Sequence, residues 1–369
     1  MRKQKKIAVV GAGGDIGSLI SQILGRDYSH RRELHNEYDV TLVLHTNTAS
    51  KLPPLEAEVW HGSGARPAVK TIISDSWQDW DTIRGSDVVA FAAGGTRSLS
   101  QQREAVLPGN ADTAAEVGIA IGENYQRDGG RPPLVLNVVN PLDSVLEILR
   151  RAASNIPSSY FVGMSGLLDG ARLVDELSEH FPEVDRRDII CPIIASHDPK
   201  LVWVKSQTFI GEISLSEHIS GGRIKLETID MIDKTVKDWG RHMIEIKHKS
   251  CTWSAAEHMA DMIWGYILQD QTPFTASAKL PSGLWGIENL PEACSGVPVI
   301  WTPTGVEISN AWCPNESERA AFMTSLRDID TLNRECGFAH LAKSENPKIR
   351  AVFDAKFTLR DRQRELVLQ

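Results

Sequence analysis

Throughout residues 5–150, short apolar runs alternate with longer stretches whose apolar residues recur at helical spacing. The runs at 6–10, 40–44, 69–73, 88–92 and 134–139 predict strands, and stretches such as 16–24 and 111–123 predict helices between them. Strand and helix in steady alternation predict βαβ units on a parallel sheet. Beyond residue 150 the pattern changes. HISGGRIKLETID, a long helical run over 253–268, VPVIWTPTGVEI and ESERAAFMTSLRDIDTL mix the two periods without that alternation, which predicts an α+β region. Segments 26–39 and 126–133 are polar or rich in Gly and Pro and predict exposed loop insertions. No internal repeat or low-complexity linker interrupts the chain, and the mixed charged and apolar stretch 335–369 points to no particular role.

Composition narrows the classes of function. A chain of 369 residues with 41% hydrophobic residues can bury a large core, and its length favours two domains. A net charge of -8 leaves no cationic excess to neutralise phosphates, so no nucleic-acid partner is expected. The basic cluster at residues 2–6 precedes only a short apolar run and reads as a solvated end. No apolar stretch approaches the roughly 18 residues of a membrane span, so no membrane partner is expected and a soluble, cytoplasmic protein is the default. Cys191, Cys251, Cys294, Cys313 and Cys336 stand far apart, which reads as reduced thiols and no metal site.

The first candidate chemistry lies in KIAVVGAGGDIGSLISQIL, where Gly11, Gly13, Gly14 and Gly17 fall between an apolar strand and an amphipathic helix. Glycines at such a junction permit a tight turn and close backbone approach, so a diphosphate can rest on the N–H groups of the helix that Asp15 and Ile16 open. Strand, turn and helix coincide here, and the segment reads as a dinucleotide-binding turn. In this arrangement an Asp or Glu at the end of the second strand binds the adenosine ribose. VTLVLHTNTAS offers His45 at that point. The missing acid removes a barrier to a 2′-phosphate, so the expected cofactor is NAD or NADP.

Further candidates follow in order. FAAGGTRSLSQQREAVLPGNADTAAEVG holds Arg97, Arg103 and Asn110; LVLNVVNPLDSVLEIL holds Asn140; FVGMSGLLDGARLVDELS holds Asp169 and Arg172. His197 stands in CPIIASHDPKLVWVKSQTFIG, and Thr252 in KHKSCTWSAAEHMADMI. A guanidinium stays charged and clamps a carboxylate through two parallel hydrogen bonds. Asp169 and Arg172 share one face of a helix. Imidazole titrates near neutrality, as a base that removes a hydroxyl proton must. Singly, each motif also has a structural reading: solvated arginines, a turn, a helical ion pair, one histidine of eleven.

In order and spacing these stretches resemble the malate and lactate dehydrogenase family, over roughly residues 5–333. The Gly11-x-x-Gly14-x-x-Gly17 spacing and the Arg97, Arg103, Asn110 series are closer to the malate enzymes. The resemblance implies a Rossmann-type doubly wound parallel sheet followed by an α+β substrate domain. It divides the chain into a dinucleotide-binding domain at 1–150, a substrate and catalytic domain at 151–335, and an extension of unknown role at 336–369. It implies hydride transfer between a nicotinamide cofactor and a small 2-hydroxy acid, most simply malate and oxaloacetate, in a homodimer or homotetramer. His197 would be the base, Asp169 its orienting carboxylate and Arg103 the group that polarises the carbonyl. Arg172 would grip the C1 carboxylate and Arg97 the distal group, with Thr252 lining the pocket. Asn140 would lie beside nicotinamide and substrate, and Asn110 beside the cofactor. Three departures follow the histidine, with Asp198, Pro199 and Trp203 where the family has glycine, aspartate and proline. They point to a related functionalised acid as substrate. Two other readings stay open: a family-4-type glycosidase that uses NAD with a metal, although the six-residue spacing of Cys191 and His197 does not suit a metal site, and an inactive nucleotide-binding paralogue.

Overall fold

The computed structural model describes residues 2–95, 103–248 and 251–354. Six strands carry the first half: β1 (Lys3–Val10), β2 (Tyr38–His45), β3 (Lys70–Ile73), β4 (Val88–Phe91), β5 (Leu134–Asn137) and β6 (Phe161–Gly163). They pair in the order β3-β2-β1-β4-β5-β6, all parallel. Both faces of such a sheet are covered, which is why Ile7, Ala8, Val9 and Val10 form an unbroken apolar run that is wholly buried. The order reverses between β1 and β4, and a crevice opens there at the carboxyl ends of the strands.

The helices of this half are α1 (Asp15–His30), α2 (Arg32–Glu37), α3 (Leu52–Ser63), α4 (Leu107–Asp128) and α5 (Leu142–Ala152). Helix α4 opens with Pro108 in its first turn, where a missing N–H costs nothing, and stops at Gly129 in the left-handed conformation. Residues 26–39 are not a loop insertion. Helix α1 runs on to His30, α2 follows, and β2 begins at Tyr38. Leu34, Tyr28 and Tyr38 bury their side chains, and the Tyr28 hydroxyl donates to the Tyr38 carbonyl at 3.1 Å, so apolar anchors outweigh the polar composition. Residues 126–131 are exposed as expected, although the first three are still helical.

The second half adds β7 (Ile189–Ile190), β8 (Ile193–Ala195), β9 (Leu201–Trp203), β10 (Phe209–Ile210), β11 (Ile213–Ser214), β12 (Phe274–Lys279), β13 (Cys294–Thr302) and β14 (Gly305–Ile308). Strand β12 pairs antiparallel with β6 and extends the main sheet through β13, β8 and β9, while β11, β10 and β7 form a small separate sheet. Its helices are α6 (Leu167–His180), α7 (Leu215–Ser220), α8 (Leu226–Lys247), α9 (Trp253–Leu268), α10 (Glu316–Leu332) and α11 (Ala339–Leu341). Helix α9 packs on α1, joining the second half to the first βα unit.

Residues 333–354 also have a place. Phe338, Leu341, Ile349 and Phe353 are buried in the cluster that holds the inner faces of α4 and α5. The Arg151 guanidinium lies 4.3 Å from the Phe338 ring centre, and Lys348 pairs with Glu123 at 2.6 Å. Each buried side chain of that size contributes about 2 kcal/mol, enough to hold the segment on the domain. Residues 355–369 lie outside the described part. Among the described residues no helix is long and apolar enough to cross a membrane.

Candidate active site

The glycine turn follows directly from β1. The N–H groups of Gly11 and Ala12 both donate to the His45 carbonyl, at 2.8 and 3.0 Å, and Gly14 N–H returns to the Gly11 carbonyl at 2.9 Å. Gly11 has a φ of 95°, and a Cβ there would lie 2.5 Å from the Ala93 nitrogen. A Cβ on Gly17 would fall on the Gly11 carbonyl, so only glycine lets α1 start so close to β1. The N-cap of α1 is Gly14, which supplies no side-chain cap, so the amides of the first turn meet the crevice as a cradle for anionic oxygens. These residues fit a dinucleotide.

His45 does not belong to that cradle. Its side chain is fully buried, stacked on Trp80 with ring centres 4.5 Å apart, and its Nε2 lies 3.0 Å from the Trp77 carbonyl oxygen. Burial pushes its pKa down, against the opposing pull of that carbonyl. The cause is strand parity: His45 shares a face of β2 with Val43 and points into the core. Thr46 is the residue that meets the turn. A Cβ on Gly13 would lie 2.8 Å from Thr46 Oγ1 and 3.3 Å from Lys51 Cδ. Strict period-two reading of β2 would have found this position.

At the switch point, Asn110 on α4 ties two loops together. Its Oδ1 accepts the Gly95 N–H at 2.7 Å, and its Nδ2 donates to the Asn140 carbonyl at 2.6 Å. Asn137 braces the same turn by donating to the Leu142 carbonyl at 2.9 Å and accepting the Val139 N–H at 2.9 Å. Asn140 precedes a cis Pro141 and lines the crevice, where its buried Oδ1 meets no hydrogen-bond partner among the described residues. A buried amide oxygen left so is a position for a donor on a bound molecule.

Asp169 sits in the first turn of α6, fully buried, and uses its two oxygens on different partners. Oδ1 accepts from Arg172 Nη1 at 2.8 Å, and Oδ2 lies 2.5 Å from His197 Nδ1. A carboxylate in that place assigns the proton to Nδ1, which makes Nε2 the basic nitrogen of the imidazole. His197 follows β8 through Ala195, which has a φ of 70°. His197, Arg172 and Asn140 line one cleft, walled by Ile16, Met164 and Ile244. The glycine turn and Asn110 line an adjoining groove, and Ala92, Gly94, Gly95 and Val106 border both. The groove therefore runs continuously from phosphate cradle to histidine.

Residues 5–162 match the lactate/malate dehydrogenase NAD-binding domain. Malate dehydrogenase 2 of Rhodopseudomonas palustris is 28% identical over 338 residues, which cover 91% of this chain and 98% of that protein. The crystal structure of Cryptosporidium parvum malate dehydrogenase superposes with a TM-score of 0.76 at 25% identity, covering 91% of this chain and 99% of that one. The lactate dehydrogenase of the same organism, complexed with lactic acid and nicotinamide adenine dinucleotide, gives 0.76 at 24% identity over 90% of this chain and 98% of its own. Over most of its length the chain is similar to malate and lactate dehydrogenases.

Within this malate/lactate dehydrogenase fold, several expected residues stand elsewhere or lie out of view. Arg97 lies outside the described residues, and so does the Arg103 side chain, whose backbone begins the turn Arg103–Val106. Thr252 is the N-cap of α9 and does not line the cleft; Cys251 and Ala255 do, with Cys251 Sγ 3.7 Å from Arg172 Nη2. The side chains of Cys251 and Ala255 border the cleft in its place, while Thr252 offers only its carbonyl to the Ala256 N–H at 3.0 Å. Trp203 is buried away from the cleft, donating to Thr208 Oγ1 at 2.7 Å, so it does not shape the substrate site. Ser206 donates to Glu318 at 2.6 Å and ties its loop to α10. The Cys191 thiol is pushed up to about 12 by burial and lies 3.7 Å from the Gly170 carbonyl oxygen.

Sequence reasoning missed Asp143. Its carboxylate accepts from Ser277 at 2.6 Å and from Ser196 at 2.8 Å, fixing the residue just before His197. The signal was a charged residue in an otherwise apolar first turn after Asn-Pro.

Proposed function

We propose that the chain is a NAD(P)-dependent 2-hydroxy acid dehydrogenase that interconverts a small 2-hydroxy acid and its 2-oxo acid, malate and oxaloacetate first among them. The observation that carries the reading is one carboxylate, Asp169, shared by His197 and Arg172 at the end of a groove that starts on the glycine turn. Nicotinamide, when bound, supplies the hydride acceptor or donor. His197 takes the hydroxyl proton on Nε2 and returns it in the reverse direction. Asp169 orients the imidazole and stabilises its charged form, as the orienter in a base pair does. Arg172 holds the C1 carboxylate beside them, and Asn140 aligns the reacting atoms from the opposite loop.

On the family resemblance, Arg103 polarises the carbonyl and Arg97 pairs with a second carboxylate. Residues 1–150 carry the cofactor and 151–335 the substrate chemistry, and within the extension 336–369 the described residues 336–354 brace the first part. We further propose a homodimer or homotetramer in the cytoplasm. Trp60 on α3 and Trp253 on α9 are each about half exposed, which suits a protein interface, and five unpaired thiols suit a reducing compartment. Steady-state oxidation of reduced cofactor across a panel of 2-oxo acids tests the activity. Turnover with oxaloacetate or a close analogue is expected, and none with any acid would overturn it. Sedimentation as a monomer would overturn the assembly.

A further inference from the structure

The adenosine end of the groove has a feature that the family match does not assign. Where a carboxylate would bind the ribose hydroxyls and repel a phosphate, this chain presents Thr46, followed by Asn47, Thr48, Ala49, Ser50 and Lys51. The Thr46 hydroxyl faces the turn, 2.8 Å from where a Cβ on Gly13 would stand. Lys51 reaches the same place from the other side, donating from Nζ to the Gly13 carbonyl at 3.1 Å. Among the described residues Lys51 makes no ion pair, so its charge at the turn is not neutralised by a neighbour. Asp75 also lines the groove and is exposed, which screens its repulsion.

We infer that Thr46 and Lys51 form a subsite for a 2′-phosphate on the adenosine ribose, so that the protein binds NADP(H) at least as tightly as NAD(H). The inference rests on the dinucleotide reading of the groove and deepens it. A phosphomonoester carries between one and two negative charges near neutrality and gains charge-assisted hydrogen bonds from an ammonium and a hydroxyl. The ammonium is already positioned by the Gly13 carbonyl, so little ordering accompanies binding.

The test is direct binding of NADH and NADPH to the full chain by fluorescence titration, without substrate, in wild type, Lys51→Glu and Thr46→Asp. Adenosine 2′,5′-bisphosphate against 5′-AMP serves as a second pair of probes lacking nicotinamide. Wild type is expected to bind NADPH with a Kd no higher than that for NADH. Each variant is expected to shift the ratio at least about tenfold toward NADH, the loss of one charge-assisted contact. Lys51 is exposed, so Lys51→Glu keeps the test open should Thr46→Asp fail to fold. Tight NADH binding with NADPH more than tenfold weaker in wild type overturns the subsite while leaving the dinucleotide reading intact. Binding of neither cofactor overturns that reading and the subsite with it.

Discussion

His197 Nδ1 lies 2.5 Å from Asp169 Oδ2, inside a site where the carboxylate is fully buried and the ring is nearly so. This pairing fixes which nitrogen is basic and where it points. Replacing His197 by Asn removes the proton acceptor but leaves the glycine turn untouched. Turnover is expected to fall by about 10²–10⁴ with the Kd for NADH changed little. Asp169→Asn is expected to lower kcat less and to weaken Arg172 as well, since the same carboxylate serves both. Transient kinetics with parallel titrations of cofactor separate the two. Near-wild-type turnover in His197→Asn would place the base elsewhere.

On the proposed function, Arg97 and Arg103 differ in what they recognise. A distal carboxylate in a water-poor cleft is costly without a cation, whereas a carbonyl needs polarising in every substrate. Arg97→Gln is therefore expected to cut kcat/KM for dicarboxylates at least about tenfold more than for monocarboxylates, the worth of one charge-assisted bond. Arg103→Gln is expected to lower both alike. Equal losses in Arg97→Gln would remove its assigned role.

The sheet was legible because parallel strands buried on both faces leave continuous apolar runs, and 253–268 and 316–332 were legible because each has helical spacing. Residues 26–39 misread because a few anchors, Leu34 and Tyr38 among them, hold polar surface in regular structure. The meeting of Asp169 and His197 was legible through order and spacing, not through either residue alone. His45 and Thr252 misled for geometric reasons. A one-residue error in strand parity turns a side chain to the opposite face, and at the start of α9 Cys251 and Ala255 line the cleft where Thr252 does not. Asp143 escaped notice because its partners, Ser196 and Ser277, lie 53 and 134 residues away.

Gly17 gives the turn its sharpest steric test. Any Cβ there meets the Gly11 carbonyl, which is backbone and cannot swing aside. Gly17→Ala must push α1 away from β1, at a cost of about 1–3 kcal/mol, and so misplace the first-turn amides. Urea unfolding is expected to show a loss of that size, and NADH affinity to fall with it. Gly62, where a Cβ meets nothing, is the control: Gly62→Ala is expected to leave NADH affinity unchanged.

Burial of His45 predicts an acid limb in stability. Its folded pKa is depressed because the ring sits between Trp77 and Trp80, so the unfolded chain binds a proton more readily than the folded one. Stability from the neutral ring is complete above the unfolded pKa, about 6.5, and is lost as pH falls through that value toward the lower folded one. His45→Phe keeps an aromatic ring against Trp80 but cannot titrate. Near pH about 8 the variant is expected to be less stable than wild type by about 1 kcal/mol, because the Trp77 carbonyl loses its Nε2 partner. Between pH about 7 and about 5 wild type is expected to lose stability more steeply, so the gap narrows or reverses. Thermal unfolding of both proteins over that range measures it, and parallel curves would mean that folding leaves the His45 pKa unchanged.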